Sequence, residues 1–287
     1  MALLHVASNA CGAGAGDDVN NDPGERDGRD IAVGVQTEVL RLLHRFGWLR
    51  TRDLASVVGR PKARSTPRDG PALQVPAPDK ADIRRMQRHL ASLREQRLIL
   101  STLAPNGSVI YALSERGARA LQGLGVSAST GKDLLRSYHA AFFLHRNIAN
   151  EVALAAMRQG FRVSTEREIA QGRWLGGVDG VHGKRPDVVI RAGSDCWFVE
   201  VERSHKNRTD HEHLLRSLTK TWAKVRPGAP TLVADAHWLR RVVFICTPGF
   251  AKRLTKDLLA LGWSTDEVAT RVMFETSLYT FRNIAFY

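Results

Sequence analysis

Three acids on two short apolar runs carry the chemistry that this sequence could perform. Asp187 heads Asp187-Val188-Val189-Ile190, and Glu200 and Glu202 alternate with valines in Trp197-Phe198-Val199-Glu200-Val201-Glu202-Arg203. In an extended strand alternate side chains share a face, so Glu200 and Glu202 point one way while Val199 and Val201 point into a core. Carboxylates gathered on neighbouring strands repel one another unless a proton or a divalent cation sits between them, and Mg2+ is usually held by one or two carboxylates plus phosphate oxygens. The expectation is a centre for Mg2+ or Mn2+ acting on a phosphodiester, with Asp187 and Glu200 as ligands and Glu202 beside them. The same residues also fit an ordinary strand whose acidic face is solvated.

The elements that must position these acids can be read from periodicity. A helix over 132–158 has Tyr138, Ala141, Phe142, His145, Ile148, Ala149 and Val152 on one stripe, and Phe161 to Val163 follows as a strand. After a glycine-rich loop come the two acidic strands. A helix over 210–225 buries Leu214, Leu215, Leu218, Trp222 and Val225, and the continuous apolar run 240–247 predicts a strand covered on both faces. His139 and His145 lie on the leading helix, where a histidine is more often a satisfied core residue than a ligand.

The first half has a different pattern. Helices are predicted over 31–46, over 51–58 with Thr51 as N-cap, and over 79–96. The third carries Ile83, Met86, Leu90 and Leu93 on one stripe, with Arg84, Arg85, Arg88 and Ser92 on the other side and Lys80 at its start. Runs at 98–103 and 108–113 flank Pro105-Asn106-Gly107, a strong hairpin signal. Residues 59–79 form a basic, proline-rich loop with Arg60, Lys62, Arg64 and Arg68. Three helices and a hairpin describe a winged helix-turn-helix over 31–126, with 79–96 as recognition helix and Asn106 at the wing tip. Lys80, Arg84, Arg85, Arg88, Ser92, Asn106, Lys62 and Arg64 are the candidate contacts to double-stranded DNA; the sequence does not reveal the oligomeric state, although two-fold sites commonly accompany winged-helix dimers, so a homodimer is one expectation. Winged helices also dock proteins, and arginine-rich helix faces are often merely solvated.

Charge is consistent with a polyanionic partner. The 287 residues carry a formal net charge of +13, and the first 30, with 2 basic and 6 acidic groups, are the acidic part. The rest is basic throughout, which suits nucleic acid or an anionic membrane surface. Residues 1–30 hold too little apolar content to offset ordering entropy and are expected to be a disordered tail. No apolar run approaches the span of a bilayer and Met1 to Val6 lacks the features of a signal peptide, so the expectation is a cytoplasmic protein without membrane insertion. Cys11, Cys196 and Cys246 are odd in number and far apart, which argues against a disulfide framework and a structural zinc site.

The order helix, three strands, helix, strand over residues 132 to about 250, with Pro186-Asp187 before the Glu200 strand, resembles the PD-(D/E)xK restriction-endonuclease-like α/β core. With the preceding module this implies a two-domain α+β protein, the second domain spanning 132–287. The resemblance maps the metal-binding acids onto Asp187 and Glu200. The lysine normally found two positions after the second acid is Glu202 here. Losing a cation where transition-state charge develops typically costs on the order of 10²- to 10³-fold in rate. Lys206 shares strand parity with Glu200 and Glu202 and is the substitute that the sequence offers, whereas Lys220 and Lys224 lie opposite the apolar stripe of their helix. Glu151 on the leading helix, or Glu166 or Glu168, would complete the acid set as a further metal ligand.

A winged helix joined to such a domain with an acid-x-acid motif is similar to the replication-relaxation family. The segments that carry this are Tyr138-His139 to Glu151, Glu166-Arg167-Glu168, Arg185-Pro186-Asp187, Phe198 to Arg203, and the aromatic end from Phe274 to Tyr287. The resemblance implies an accessory role in plasmid replication or conjugative mobilisation, with a relaxase or replication protein as partner and a nuclease-like domain that binds DNA with weak or no cleavage. An active Mg2+-dependent endonuclease, and a protein-interaction scaffold or transcription regulator, are the rival expectations.

Overall fold

The computed structural model describes residues 28–278 apart from 68, 69, 75, 137–139, 203–207, 224, 227, 228 and 235. The 1–27 segment with Cys11, Arg68, Tyr138, His139, Lys206, Lys224 and the end from 279 onward thus lie outside the described residues, as does the side chain of Ala141.

The chain starts with α1 (Gly28–Phe46), whose apolar side buries Val39, Leu42, Leu43 and Phe46. Gly47 ends it at φ +82°, a left-handed backbone conformation that favours glycine. β1 (Leu49–Arg50) runs straight into α2 (Thr51–Val57). The N-cap is Arg50 and not the expected Thr51: the Arg50 N–H donates to Asp53 Oδ2 at 2.8 Å. A carboxylate in the first turn outdoes a hydroxyl because its bond to the backbone is charge-assisted.

Next, α3 (Lys80–Glu95) begins at Asp79, whose Oδ1 accepts from the Asp82 N–H at 2.7 Å, and it buries Met86, Leu90 and Leu93 as its spacing predicts. β2 (Ile99–Leu103) and β3 (Val109–Leu113) pair antiparallel across the Asn106-Gly107 turn, where Gly107 takes φ +79°. A three-residue hairpin loop needs that left-handed residue. α4 (Glu115–Gln122) follows, and the strands order as β1-β3-β2.

The proline-rich stretch between α2 and α3 is mostly exposed among its described residues but is pinned at several points. The Ala63 N–H donates to Arg158 O at 3.0 Å, the Ala72 N–H to Gln159 Oε1 at 2.8 Å, and Leu73 is buried. Arg60 is ion-paired to Asp82 on α3.

The second half contains α5 (Lys132–Arg136), α6 (Ala140–Arg158), β4 (Arg162–Ser164), α7 (Glu166–Ala170), β5 (Val188–Ala192), β6 (Asp195–Glu202), α8 (Arg208–Trp222), β7 (Thr231–Ala234), β8 (His237–Cys246), α9 (Pro248–Ala260), α10 (Thr265–Arg271) and β9 (Val272–Glu275). Its sheet is ordered β4-β5-β6-β8-β7, with β9 also on β8. The strands β4, β5 and β6 are antiparallel neighbours, and β8 lies parallel to β6 after the crossover through α8. Helix, three strands, helix, strand is thus the observed order, with α7 and β7 as short additions. One face (Val188, Ile190, Val199, Val201, Val243, Ile245) packs with α6, and the other (Val189, Cys196, Phe198, Val242, Phe244, Cys246) with α8 and α9. Both cysteines are core residues, and burial pushes each thiol up to about 12.

One correction concerns α6. Ile148, Ala149 and Val152 are buried as expected, but Phe142 is 68% exposed and Phe143 takes the inner position at 1%, stacked on Trp48 with ring centroids 5.3 Å apart. The inner face is rotated because α6 serves two neighbours, the sheet on one side and the first half of the chain on the other.

That second contact joins the halves. A single buried apolar cluster runs from Leu43, Leu54 and Leu93 to Val152, Val199 and Ile245. Alongside it, Arg146 donates to Phe46 O at 3.1 Å, Asn150 to Trp48 O at 3.2 Å, and Thr165 Oγ1 to Arg45 O at 2.6 Å. Among the described residues no helix is long and apolar enough to cross a membrane.

Candidate functional site

The two acidic strands converge as their parity requires. Val188 pairs with Val199, so Asp187, one residue earlier, stands beside Glu200 at the same end of the sheet. Its N–H donates to Val199 O at 3.0 Å and its Oδ2 accepts from the Val201 N–H at 2.7 Å, which ties the carboxylate across β6. Glu200 and Glu202 continue the face of Cys196 and Phe198 and are 5% and 7% exposed. A solvated acidic strand face is therefore ruled out. Buried carboxylates must find a cation or a donor, since an unpaired buried charge is prohibitive.

Among the described residues Lys184 supplies a cation, with Nζ 2.8 Å from Glu200 Oε2. It is delivered by a tight turn: Val181 and Lys184 exchange both backbone hydrogen bonds, with His182 at φ 51° and Gly183 at φ 77° between them. Two successive left-handed residues define a type I′ turn, which glycine favours at its second position. Burial works against the ammonium, but Glu200, Asp187 and Glu202 outweigh it and hold its pKa above the ordinary lysine value.

His145 of α6 completes the group, with Nε2 3.1 Å from Asp187 Oδ1. Burial pulls the imidazole down, yet the bond and charge of Asp187, then Glu166 and Glu200, raise its pKa overall. Asp187 is the mirror case: burial pushes it up, while His145, the Val201 N–H and Lys184 bring it below the usual carboxylate range. The net result is two carboxylates clasped by a lysine and a histidine at one end of the sheet.

The remaining acids expected here are elsewhere. Glu151 Oε1 lies 2.6 Å from Arg50 Nη2, which is also 2.7 Å from Asp53 Oδ1 and is nearly inaccessible. Glu168 is chelated by Arg45 at 2.7 and 3.1 Å, and Glu166 lies 3.8 Å from Arg146. Glu151 and Glu168 bind the halves together, and Glu166 pairs with Arg146 inside the second half. Lys206 is outside the described residues, and among those that are described Lys184 brings a cation to the acids. The only local sign of it is a His182-Gly183 pair suited to a turn that ends three residues before Asp187.

Among the described residues no group of three or more His, Cys, Asp or Glu side chains is arranged to hold a metal ion. Asp187 and Glu200 are a two-carboxylate set, which suits Mg2+ when phosphate oxygens and water fill the other positions. Any such ion would share Glu200 with Lys184.

On the first sheet's side, Lys80, Arg84, Arg85 and Arg88 are exposed on α3, as are Lys62 and Arg64 on the loop. Arg84 and Arg88 line a shallow groove with Gln87 and Ala91, while Arg85 leans towards Asp82 at 3.7 Å. Two expected contacts, both half-buried, bond to neighbouring side chains and backbone. Ser92 Oγ accepts from Gln36 Nε2 at 3.3 Å and from Gln96 Nε2 at 3.1 Å. Asn106 Oδ1 accepts from the Ser108 N–H and Oγ at 3.2 and 2.8 Å, closing the hairpin tip. Both side chains do local structural work, because short polar groups near turns and helix ends satisfy neighbouring donors.

A family model described as replication-relaxation matches residues 72–223, more than half of the chain, from just before α3 through the acids to α8. No curated protein and no solved structure matches.

Proposed function

Since this chain belongs to the replication-relaxation family, we propose that it is a DNA-binding accessory protein of plasmid or mobile-element replication or conjugative mobilisation. In this reading α1 to β3 act as a winged helix with α3 in the major groove of duplex DNA, and the second half is a PD-(D/E)xK-like domain that holds a further segment with weak or no cleavage. A relaxase or replication protein would be its partner, in the cytoplasm, and a homodimer would read a two-fold site. The observation that carries the reading is the exposed row Lys80, Arg84 and Arg88, without an ion pair among the described residues, on a helix held from behind by Met86, Leu90 and Leu93. Titrating a labelled duplex at several salt concentrations tests it. Affinity should fall steeply with salt, and absent or salt-independent binding would overturn it.

The contact between Lys184 and Glu200 favours a second reading, a Mg2+- or Mn2+-dependent endonuclease. Asp187 and Glu200 would hold the ion, which when bound offsets negative charge on a phosphate. Lys184 would replace the cation that Glu202 removes from the usual place, and His145 would fix the orientation of Asp187. Incubation of supercoiled plasmid with either metal decides it. Nicking should vanish in Asp187→Ala and fall in Lys184→Ala, and no nicking by the unaltered chain rejects this reading.

A further inference from the structure

Positive charge is concentrated at the junction of the two halves, where neither reading uses it. His44 near the end of α1, Arg146 on α6, Arg167 on α7 and Arg173 just beyond α7 meet there. Arg167 is 7% exposed, and its bonds go only to neutral acceptors: Ser129 O at 3.4 Å, Ser129 Oγ at 2.9 Å and Thr130 O at 2.9 Å. Among the described residues no carboxylate is ion-paired with Arg167 or Arg173, and the nearest acids, Glu166 and Glu168, face Arg146 and Arg45. Arg167 Nη1 is shut off from solvent without a hydrogen-bond partner, and so is Arg146 Nε, whose neighbour Glu166 stands 3.8 Å away.

A buried guanidinium without counter-charge is among the costlier arrangements in a protein interior. Burial, then Arg146 and Arg173, depress Arg167 to about 10. His44 repeats the pattern. The Ser129 N–H approaches its Nδ1 at 3.4 Å while Arg173 Nη1 lies 3.3 Å from its Nε2, yet a neutral imidazole has a single acceptor nitrogen. Two donors therefore compete for one lone pair, and an anionic oxygen between Arg173 and His44 would relieve both that conflict and the unanswered charge of Arg167.

We propose that His44, Arg146, Arg167 and Arg173 form a binding site for a phosphate group, with Arg167 as its floor and the exposed Arg173 as its rim. Several N–H donors brought together from three helices and the loop after α7 suit a tetrahedral oxyanion better than the planar fork of a carboxylate. Given the DNA-binding reading, on which the choice of source rests, the group is a backbone phosphate; free phosphate has the same chemistry.

Arg173→Gln is the test variant, because Arg173 is exposed and carries no backbone carbonyl of the junction, unlike Arg146. The full-length chain and this variant are melted with inorganic phosphate and with chloride at matched ionic strength. Near tenfold its Kd, phosphate should raise the unaltered chain's Tm by about 3–6 °C and leave the variant unmoved. An equal rise in both, or none in either, overturns the site. Salt-titrated duplex binding then identifies the source: a slope lower by about 0.9 in the variant means a DNA phosphate. An unchanged slope alongside lost phosphate protection refutes that source. The DNA reading fails separately, when the unaltered chain binds no duplex although phosphate still protects it.

Discussion

Removing Arg84 and Arg88 together is the most direct probe of the α3 face. The two lie one helical turn apart on the exposed side, and the apolar residues behind them are untouched, so Arg84→Ala with Arg88→Ala keeps a helix that alanine favours. Each phosphate neutralised by a protein cation contributes about −0.9 to the slope of log affinity against log salt. Loss of two contacts should make the slope shallower by about 1.8. Between 50 and 200 mM salt, a fourfold change, the gap between the two proteins then narrows by about 12-fold. Fluorescence anisotropy with a labelled duplex measures both slopes directly. Parallel lines on the log–log plot would refute the assignment of these arginines to phosphates. Ser92→Ala is the internal control, since its hydroxyl serves Gln36 and Gln96, and both slope and affinity should stay as they were.

Other expectations concern the frame that carries the sites. Asp53→Ala leaves Arg50 buried with Glu151 alone, and breaking such a pair costs about 3–5 kcal/mol; thermal melting should show Tm lower by roughly 6–20 °C. Phe143→Ala should cost about 3–5 kcal/mol in denaturant titration, against about 0.5 or less for Phe142→Ala, and equal effects would contradict the rotation of α6. For His145, whose pKa is raised in the folded state, the charged form supports folding fully below the ordinary value near 6.5 and loses that support as pH rises through the folded value. The stability gap to His145→Gln should thus be widest near pH 6 and shrink towards pH 9, and Asp187→Asn should drop the imidazole titration seen by NMR. A gap that grows with pH would sink this assignment.

Local patterns in the sequence reach far for α1, α3, α8 and the hairpin, because each has one wet and one dry side and its own stop signal. Parity likewise places Glu200 and Glu202 on one face and pairs them with Asp187. It is silent on burial, which depends on what covers that face. The inner face of α6 is not legible because apolar residues surround it on nearly every side, from Ala140-Ala141-Phe142-Phe143 to Ala153-Leu154-Ala155-Ala156. Glu151 reads as an available acid because its partner Arg50 is 101 residues away. Lys184 is hidden for a related reason: only the left-handed turn at His182-Gly183 brings its ammonium back to β6. β7 and β9, four residues each, are too short to carry an alternation.

The carbonyl oxygens of Arg45, Phe46, Trp48 and Ser56 all accept from side chains of α6 or of Thr165 at the start of α7. A fragment stopped at residue 126 would strip those oxygens of their donors and expose Trp48 to water, so it should be insoluble or molten instead of a working miniature. The shared core and these bonds fuse the halves like the jaws of a locked caliper, so α3 and the cluster of Asp187, Glu200 and Lys184 are carried on one frame.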